Sequence, residues 1–178
     1  MTNQRQLFVL RHAKSSWDDP GLDDHERPLS PRGRRAVEVL GKHLRTIGAC
    51  PEQVLCSSAR RTRETVAGAD PTGERLIERA LYSAGVNELI TRLRQVPTEI
   101  RSVMLVGHNP GAQMLVLRLI GANGDGRAFA APTDGDIAEL QRKFPTGALA
   151  TLDFDCDWGA LGPGCARLSA FVVPRHLS

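Results

Sequence analysis

Two short apolar runs in this chain each stop at a histidine. Leu7-Phe8-Val9-Leu10 leads into Arg11-His12, and Val103-Met104-Leu105-Val106 leads into Gly107-His108-Asn109-Pro110-Gly111. Each run reads as a buried strand, and open parallel sheets hold ligands at the carboxyl ends of their strands. Two imidazoles and at least one guanidinium would then converge on one crevice. A neutral imidazole can attack phosphorus, a guanidinium binds phosphate oxygens through two parallel hydrogen bonds, and the turn after a strand adds backbone N–H donors. Guanidinium charge beside His12 disfavours its imidazolium and keeps the ring nucleophilic at neutral pH. A helix start is expected at Pro110, and a helix N-terminus next to His108 is itself an anion site. The set suits an anion with a transferable centre, phosphate first. Either histidine alone reads equally well as a structural group; their matching contexts favour chemistry.

The segment Ser57-Ser58-Ala59-Arg60-Arg61-Thr62-Arg63-Glu64-Thr65 also follows a strand and opens a helix. Its arginines can turn toward the same crevice. On a helix one position points inward while its neighbours do not, and Arg60 and Arg63 read as a solvated face.

Strand and helix signals alternate along the chain, the pattern of α/β layering. Strands are expected at 7–10, 54–56 and 103–106, and Leu76-Ile77 with Ala80-Leu81-Tyr82 suggests a third strand or a short extended piece. Helices are expected from Pro31, with Ser30 as N-cap and Gly48 as stop, then at 59–69 and 86–96, and from Pro110 onward. Past Gly121 the pattern predicts a loop or lid at 124–135, a short helix at 136–144, and strands at 149–154 and 167–173 around a turn at 159–164. The expected fold is a three-layer α/β sandwich in a single domain over 1–178. Its central sheet is mainly parallel, with helices on both faces and the late strands as an antiparallel edge. Residues 13–29 form a long polar connection containing Pro20, Gly21 and Pro28, and loops of that length are usually functional or disordered. Phe144-Pro145-Thr146-Gly147 reads first as a plain turn before a strand, with a return to the pocket edge as the alternative.

A chain of 178 residues buries roughly 70% of its unfolded surface, enough for a core without staples. Hydrophobic residues at 41% and charged residues at 24% are ordinary for a globular protein. The net charge of +3 comes from scattered basic residues with few aromatics, which does not fit a nucleic-acid partner. The polar start and the short first apolar run give neither a targeting signal nor a membrane span, so the expected location is cytoplasmic. Cys50, Cys56, Cys156 and Cys165 form no Cys-x-x-Cys pair and read as reduced thiols. A cysteine phosphatase built on Cys56 would need an arginine where Thr62 stands. His12, His25, His43 and His108 show no zinc-ligand spacing, so no metal is expected. His25, His43 and His176 read as ordinary surface residues.

In order along the chain, these motifs resemble the histidine phosphatase superfamily, which includes the phosphoglycerate mutases, and within it the SixA-type phosphohistidine phosphatases. The family's Arg-His-Gly appears as Arg11-His12-Ala13, continued by Lys14-Ser15. Arg27-Pro28-Leu29, followed by Gly33, matches the next signature. Ser57 to Thr65 matches the family's Ser-Pro-x-x-Arg-Ala-x-Gln-Thr loosely and puts the second phosphate arginine on Arg61. Gly107-His108 matches the late Gly-His.

The resemblance implies a phosphoglycerate mutase-like fold and a phosphohistidine intermediate on His12. Arg11, Arg61 and His108 would hold the phosphoryl oxygens, without cofactor or metal. It places the leaving-group acid on Glu78, in Leu76-Ile77-Glu78, although Glu78 reads equally as a surface carboxylate beside Arg79. Other members carry an aspartate acid where Asn109 stands, and an amide cannot serve. Lys14, Ser15 and Asn109 are expected to contact substrate. The implied partner is phosphohistidine on a carrier protein or a phosphorylated small molecule. Mutases carry larger insertions around the pocket than this short chain allows, which favours a phosphatase. A non-catalytic phosphate-binding or docking module is the alternative of a different class.

Overall fold

The computed structural model describes residues 4–121 and 134–177. Among them, β1 (Arg5–Arg11), β2 (Gln53–Ser57), β3 (Glu74–Glu78), β4 (Ser102–Gly107), β5 (Leu149–Phe154) and β6 (Arg167–Val172) form one sheet in the order β3-β2-β4-β1-β5-β6. The pairs β2–β3, β2–β4 and β1–β4 are parallel; β5 is antiparallel to both β1 and β6. The helices are α1 (Pro31–Thr46), α2 (Arg60–Ala69), α3 (Val86–Leu93), α4 (Gly111–Leu119) and α5 (Asp134–Arg142).

Side chains alternate across a strand, and both faces of this sheet are covered. Leu7, Val9, Leu55 and Leu105 pack with Leu89 and Leu93 of α3 and Leu115 and Leu119 of α4. Phe8, Leu10, Cys56, Met104 and Val106 pack with Leu40 and Leu44 of α1 and Val66 of α2. Burial on both sides is why these strands appear in the sequence as unbroken apolar runs. It also creates the crevice. The helix after β1 lies on one face and the helix after β4 on the other, so the neighbouring ends of β1 and β4 open onto a topological switch point.

Helix α1 is locked to the loop after β1. Ser30 caps it, its Oγ accepting from Gly33 N at 3.1 Å, while Ser30 N and Oγ both donate to the Lys14 carbonyl at 2.8 and 3.0 Å. That carbonyl lies where a Cβ on Gly33 would go. A Cβ on Gly41 would lie 2.8 Å from the Ala69 carbonyl, so this glycine lets α1 approach α2 closely.

Four expectations need correction. Strand β3 ends at Glu78, and Arg79–Leu81 forms a 3-10 turn in place of the extended piece expected at 80–82, with Tyr82 N donating to the Arg79 carbonyl at 3.0 Å. Helix α3 stops at Leu93, short of residue 96, because tight i→i+3 bonds turn the chain and send Val96 into the core. Residues 13–29 are not a plain loop: Ser15 bridges Leu29, and Asp24–Glu26 forms a 3-10 turn. Residues 144–147 pack on the end of β1, with Gly147 N donating to the carbonyls of both Arg11 and His12 at 3.0 Å. The lid expected at 124–135 lies outside the described residues except for 134 and 135, which belong to α5. Among the described residues no helix is long and apolar enough to cross a membrane.

Gly33→Ala is expected to cost about 1–3 kcal/mol, the usual range for forcing extra atoms into a packed contact. Urea unfolding should show a lowered midpoint, whereas Arg35→Ala on the exposed side of α1 should stay within about 0.5 kcal/mol of the parent.

Candidate active site

The parallel register sets Arg11 opposite Gly107, and His12 N donates to the Gly107 carbonyl at 3.1 Å. The two histidines that follow these strands therefore stand side by side, with ring centroids 5.2 Å apart. Strand β2, on the other side of β4, ends at Ser57, whose Oγ meets His108 Nε2 at 2.8 Å. Arg61, in the first turn of α2, is buried, and its Nη2 lies 3.5 Å from His108 Nδ1.

These contacts assign the tautomers. His12 Nδ1 is 2.7 Å from the Ala13 carbonyl, which can only accept, so Nδ1 carries the hydrogen and Nε2 keeps its lone pair. His108 Nδ1 faces a guanidinium, which can only donate, so His108 carries its hydrogen on Nε2 and gives it to Ser57 Oγ. Burial, reinforced by His108, Arg61 and Arg11, lowers the His12 pKa to about 3 despite the Ala13 contact. Burial and the Arg61 charge lower that of His108 to about 4. Both rings are neutral at pH 7. Arg11 is held below the usual guanidinium value by burial and by the charge of Arg61. Its Nη1 donates to the Phe144 carbonyl at 2.8 Å, while its Nε is buried without a partner.

Asp24 supplies the countercharge. Its carbonyl accepts from Arg61 Nη1 at 2.5 Å, and its carboxylate accepts from Arg61 Nη2 at 3.0 Å, Arg27 Nη1 at 2.9 Å and Tyr82 Oη at 2.7 Å. The hydrogen bonds from Tyr82, Arg27 and Arg61 hold this carboxyl far below the usual range, so it stays ionised. The cluster of Arg11, Arg27, Arg61 and Asp24 carries a net positive charge. An anion is the species that such a cluster attracts.

The sequence profile of the histidine phosphatase superfamily (branch 1) matches residues 7–81. The uncharacterised protein Rv1276c of Mycobacterium tuberculosis is 36% identical over 93% of this chain and 100% of its own length. The chain belongs to the histidine phosphatase superfamily. A structure described as the phosphohistidine phosphatase SixA of Nakamurella multipartitia superposes with a TM-score of 0.82 at 32% identity, covering 96% of each chain. One so described from Agrobacterium tumefaciens gives 0.77 at 29% identity, covering 96% of this chain and 98% of that one. Membership and these likenesses support phosphatase function.

In this member of the superfamily, Arg11, His12, Arg61 and His108 come together, while the other expected site residues are placed differently. Glu78, at the end of β3, has both oxygens engaged by Arg92, with contacts of 2.7 to 3.0 Å. Ser15 is buried and its Oγ accepts from Arg27 Nη2 at 2.6 Å, so it supports the loop. Lys14 is exposed, and its carbonyl holds the start of α1. Asn109 donates from Nδ2 to the Phe144 carbonyl at 3.1 Å, and its Oδ1 is buried without a partner. Ala13, at the family's glycine position, has no positive φ, and it packs with Leu29 and Val37 while its N–H donates to Thr65 Oγ1 at 3.0 Å.

Sequence reasoning missed Asp24, Tyr82 and His25. The Tyr82 ring stands edge-on to His108 at 5.6 Å and to His25 at 4.9 Å. Asp24 and His25 lie in the long connection after β1, whose length was the one signal pointing to them.

The lowered histidine pKa values make stability depend on pH. The unfolded chain takes up protons at these rings near 6.5, the folded one only near 3 and 4, so unfolding binds protons in between. Stability is full above pH 6.5 and falls as pH drops toward 4, by up to about 1.4 kcal/mol per pH unit from the buried His12. Urea titrations at pH 7 and pH 5 should show this loss, and a His12→Gln/His108→Gln double variant should lose less.

Proposed function

We propose that this protein is a metal-independent phosphatase that works through a phosphohistidine intermediate on His12. The observation that carries the reading is the pair of neutral imidazoles 5.2 Å apart at the ends of adjacent parallel strands, flanked by two arginines. His12 Nε2 has the lone pair that attacks phosphorus, and the Ala13 carbonyl fixes the ring in that tautomer. In this reading the unpartnered Arg11 Nε and the Arg61 guanidinium bind phosphoryl oxygens as charge builds on them, and the His108 Nε2–H turns from Ser57 Oγ to join them. Because fixed guanidiniums supply the positive charge, the transfer needs no metal ion.

The first step forms the bond from His12 Nε2 to phosphorus and expels the leaving group. Water then attacks phosphorus, releases phosphate and returns the electron pair to Nε2. The substrate is a phosphomonoester or a phosphoramidate. The likeness to SixA-type structures favours phosphohistidine on a carrier protein. We assign Lys14, exposed two residues after His12, a substrate contact, and Asn109 ties the 144–147 turn to the end of β4.

The purified protein is expected to release phosphate from p-nitrophenyl phosphate and from a phosphohistidine peptide in the presence of EDTA. His12→Ala should reduce turnover by at least about 10³-fold with its circular dichroism unchanged. Full activity in that variant would overturn the assignment of the nucleophile. A requirement for a bisphosphorylated primer would make the protein a mutase, and phosphate binding without release would make it a docking module.

A further inference from the structure

The reaction proposed above needs a proton for its leaving atom, and the groups closest to the two histidines are poor sources of one. Asp24 is held ionised by Tyr82, Arg27 and Arg61. The Tyr82 hydroxyl gives its hydrogen to Asp24. Both oxygens of Glu78 are bound by Arg92, and Asn109 is an amide. His108 directs its N–H at Ser57.

A third imidazole stands at the mouth of the crevice. His25, in the 3-10 turn after β1, has its Nδ1 2.6 Å from Glu26 Oε1 and its Nε2 2.8 Å from Ser58 Oγ. Nδ1 thus donates to the Glu26 carboxylate, and Nε2 shares a hydrogen with the Ser58 hydroxyl, which can accept or donate. Ser58 follows Ser57, which touches His108, and Ser58 N is fixed by the Glu78 carbonyl at 3.2 Å. Successive ring contacts run His12–His108–Tyr82–His25, at 5.2, 5.6 and 4.9 Å. Two rings thus stand between His25 and the nucleophile, and in-line transfer puts the leaving atom on the side of phosphorus away from His12.

We propose that Glu26, His25 and Ser58 form a proton relay serving the leaving group, an inference that rests on the phosphatase reading above. As the bond from His12 Nε2 to phosphorus forms, the bond to the leaving atom breaks and that atom keeps the electron pair. It takes the Ser58 hydroxyl proton while Ser58 takes one from His25 Nε2. In the second half the attacking water loses a proton to Ser58, which passes one back to His25. The oxygen–phosphorus bond forms, and the pair of the broken N–P bond returns to His12. Ser58 meets the leaving atom, His25 stores the proton, and Glu26 positions His25.

Leaving-group dependence tests the relay, because p-nitrophenolate departs without a proton and an alkoxide does not. We expect His25→Gln to lower kcat/KM on an alkyl phosphate by about 100-fold or more, the scale of general acid catalysis, and on p-nitrophenyl phosphate by less than about 3-fold. Ser58→Ala should show the same selectivity, which keeps the test decisive if one variant folds poorly. Equal losses on both substrates, or none, would overturn the relay, as would a selective loss in Glu78→Gln but not in His25→Gln. A wild-type protein inert toward both substrates would instead overturn the phosphatase reading, and the relay with it.

Discussion

The site depends on one pairing, the parallel ladder between β1 and β4. Because Arg11 and Gly107 share a rung, the residues just beyond them are level. The bond from His12 N to the Gly107 carbonyl extends the ladder by one step, past the end of the sheet and into the chemistry. A slip of one residue would send His12 to the opposite face of the sheet. Core packing protects against this, since the same slip would expose Leu7 and Val9 to the α1–α2 layer and Phe8 and Leu10 to the α3–α4 layer. The hydrophobic register and the spacing of the two imidazoles are therefore one constraint.

Around that pairing the chain manages a local excess of charge. Arg61 comes close enough to lower the pKa of Arg11, an arrangement that costs energy in a half-buried place. Asp24 offsets part of that cost with its carboxylate and its carbonyl, and ties Arg27 and Tyr82 to the same point. The long connection after β1 thus acts as an electrostatic strap across the crevice. Ser15 supports the strap from below through Arg27, which explains why a serine expected to meet substrate is buried.

What could be read from the sequence was whatever depended on local pattern. Strand ends, the Ser30 cap and the meeting of His12 with His108 follow from apolar periodicity and from motifs at strand ends, while the choice of Arg61 among its neighbours came from the family resemblance. Asp24, His25 and Tyr82 could not be found that way. Their positions come from side-chain bonds between segments more than thirty residues apart, and no period in the sequence encodes such bonds. Glu78 shows the converse limit: the pattern located the residue at the end of β3, but its partner Arg92 sits on α3. The turn at 144–147 was read as a passive connection because nothing local marks the Phe144 carbonyl as the shared acceptor of Arg11 and Asn109.

The strap also gives the protein an optical reporter of its own. Of the two tryptophans, Trp158 is wholly buried, with its indole N–H on the Ile100 carbonyl. Trp17 is 70% exposed, and the Arg27 guanidinium carbon lies over its ring, 3.1 Å from the ring centroid. The two indoles therefore emit from different surroundings, one dry and one wet. Emission at the red edge comes from the segment that holds Asp24 in place, so rearrangement at the crevice mouth can be followed by intrinsic fluorescence without attaching a dye.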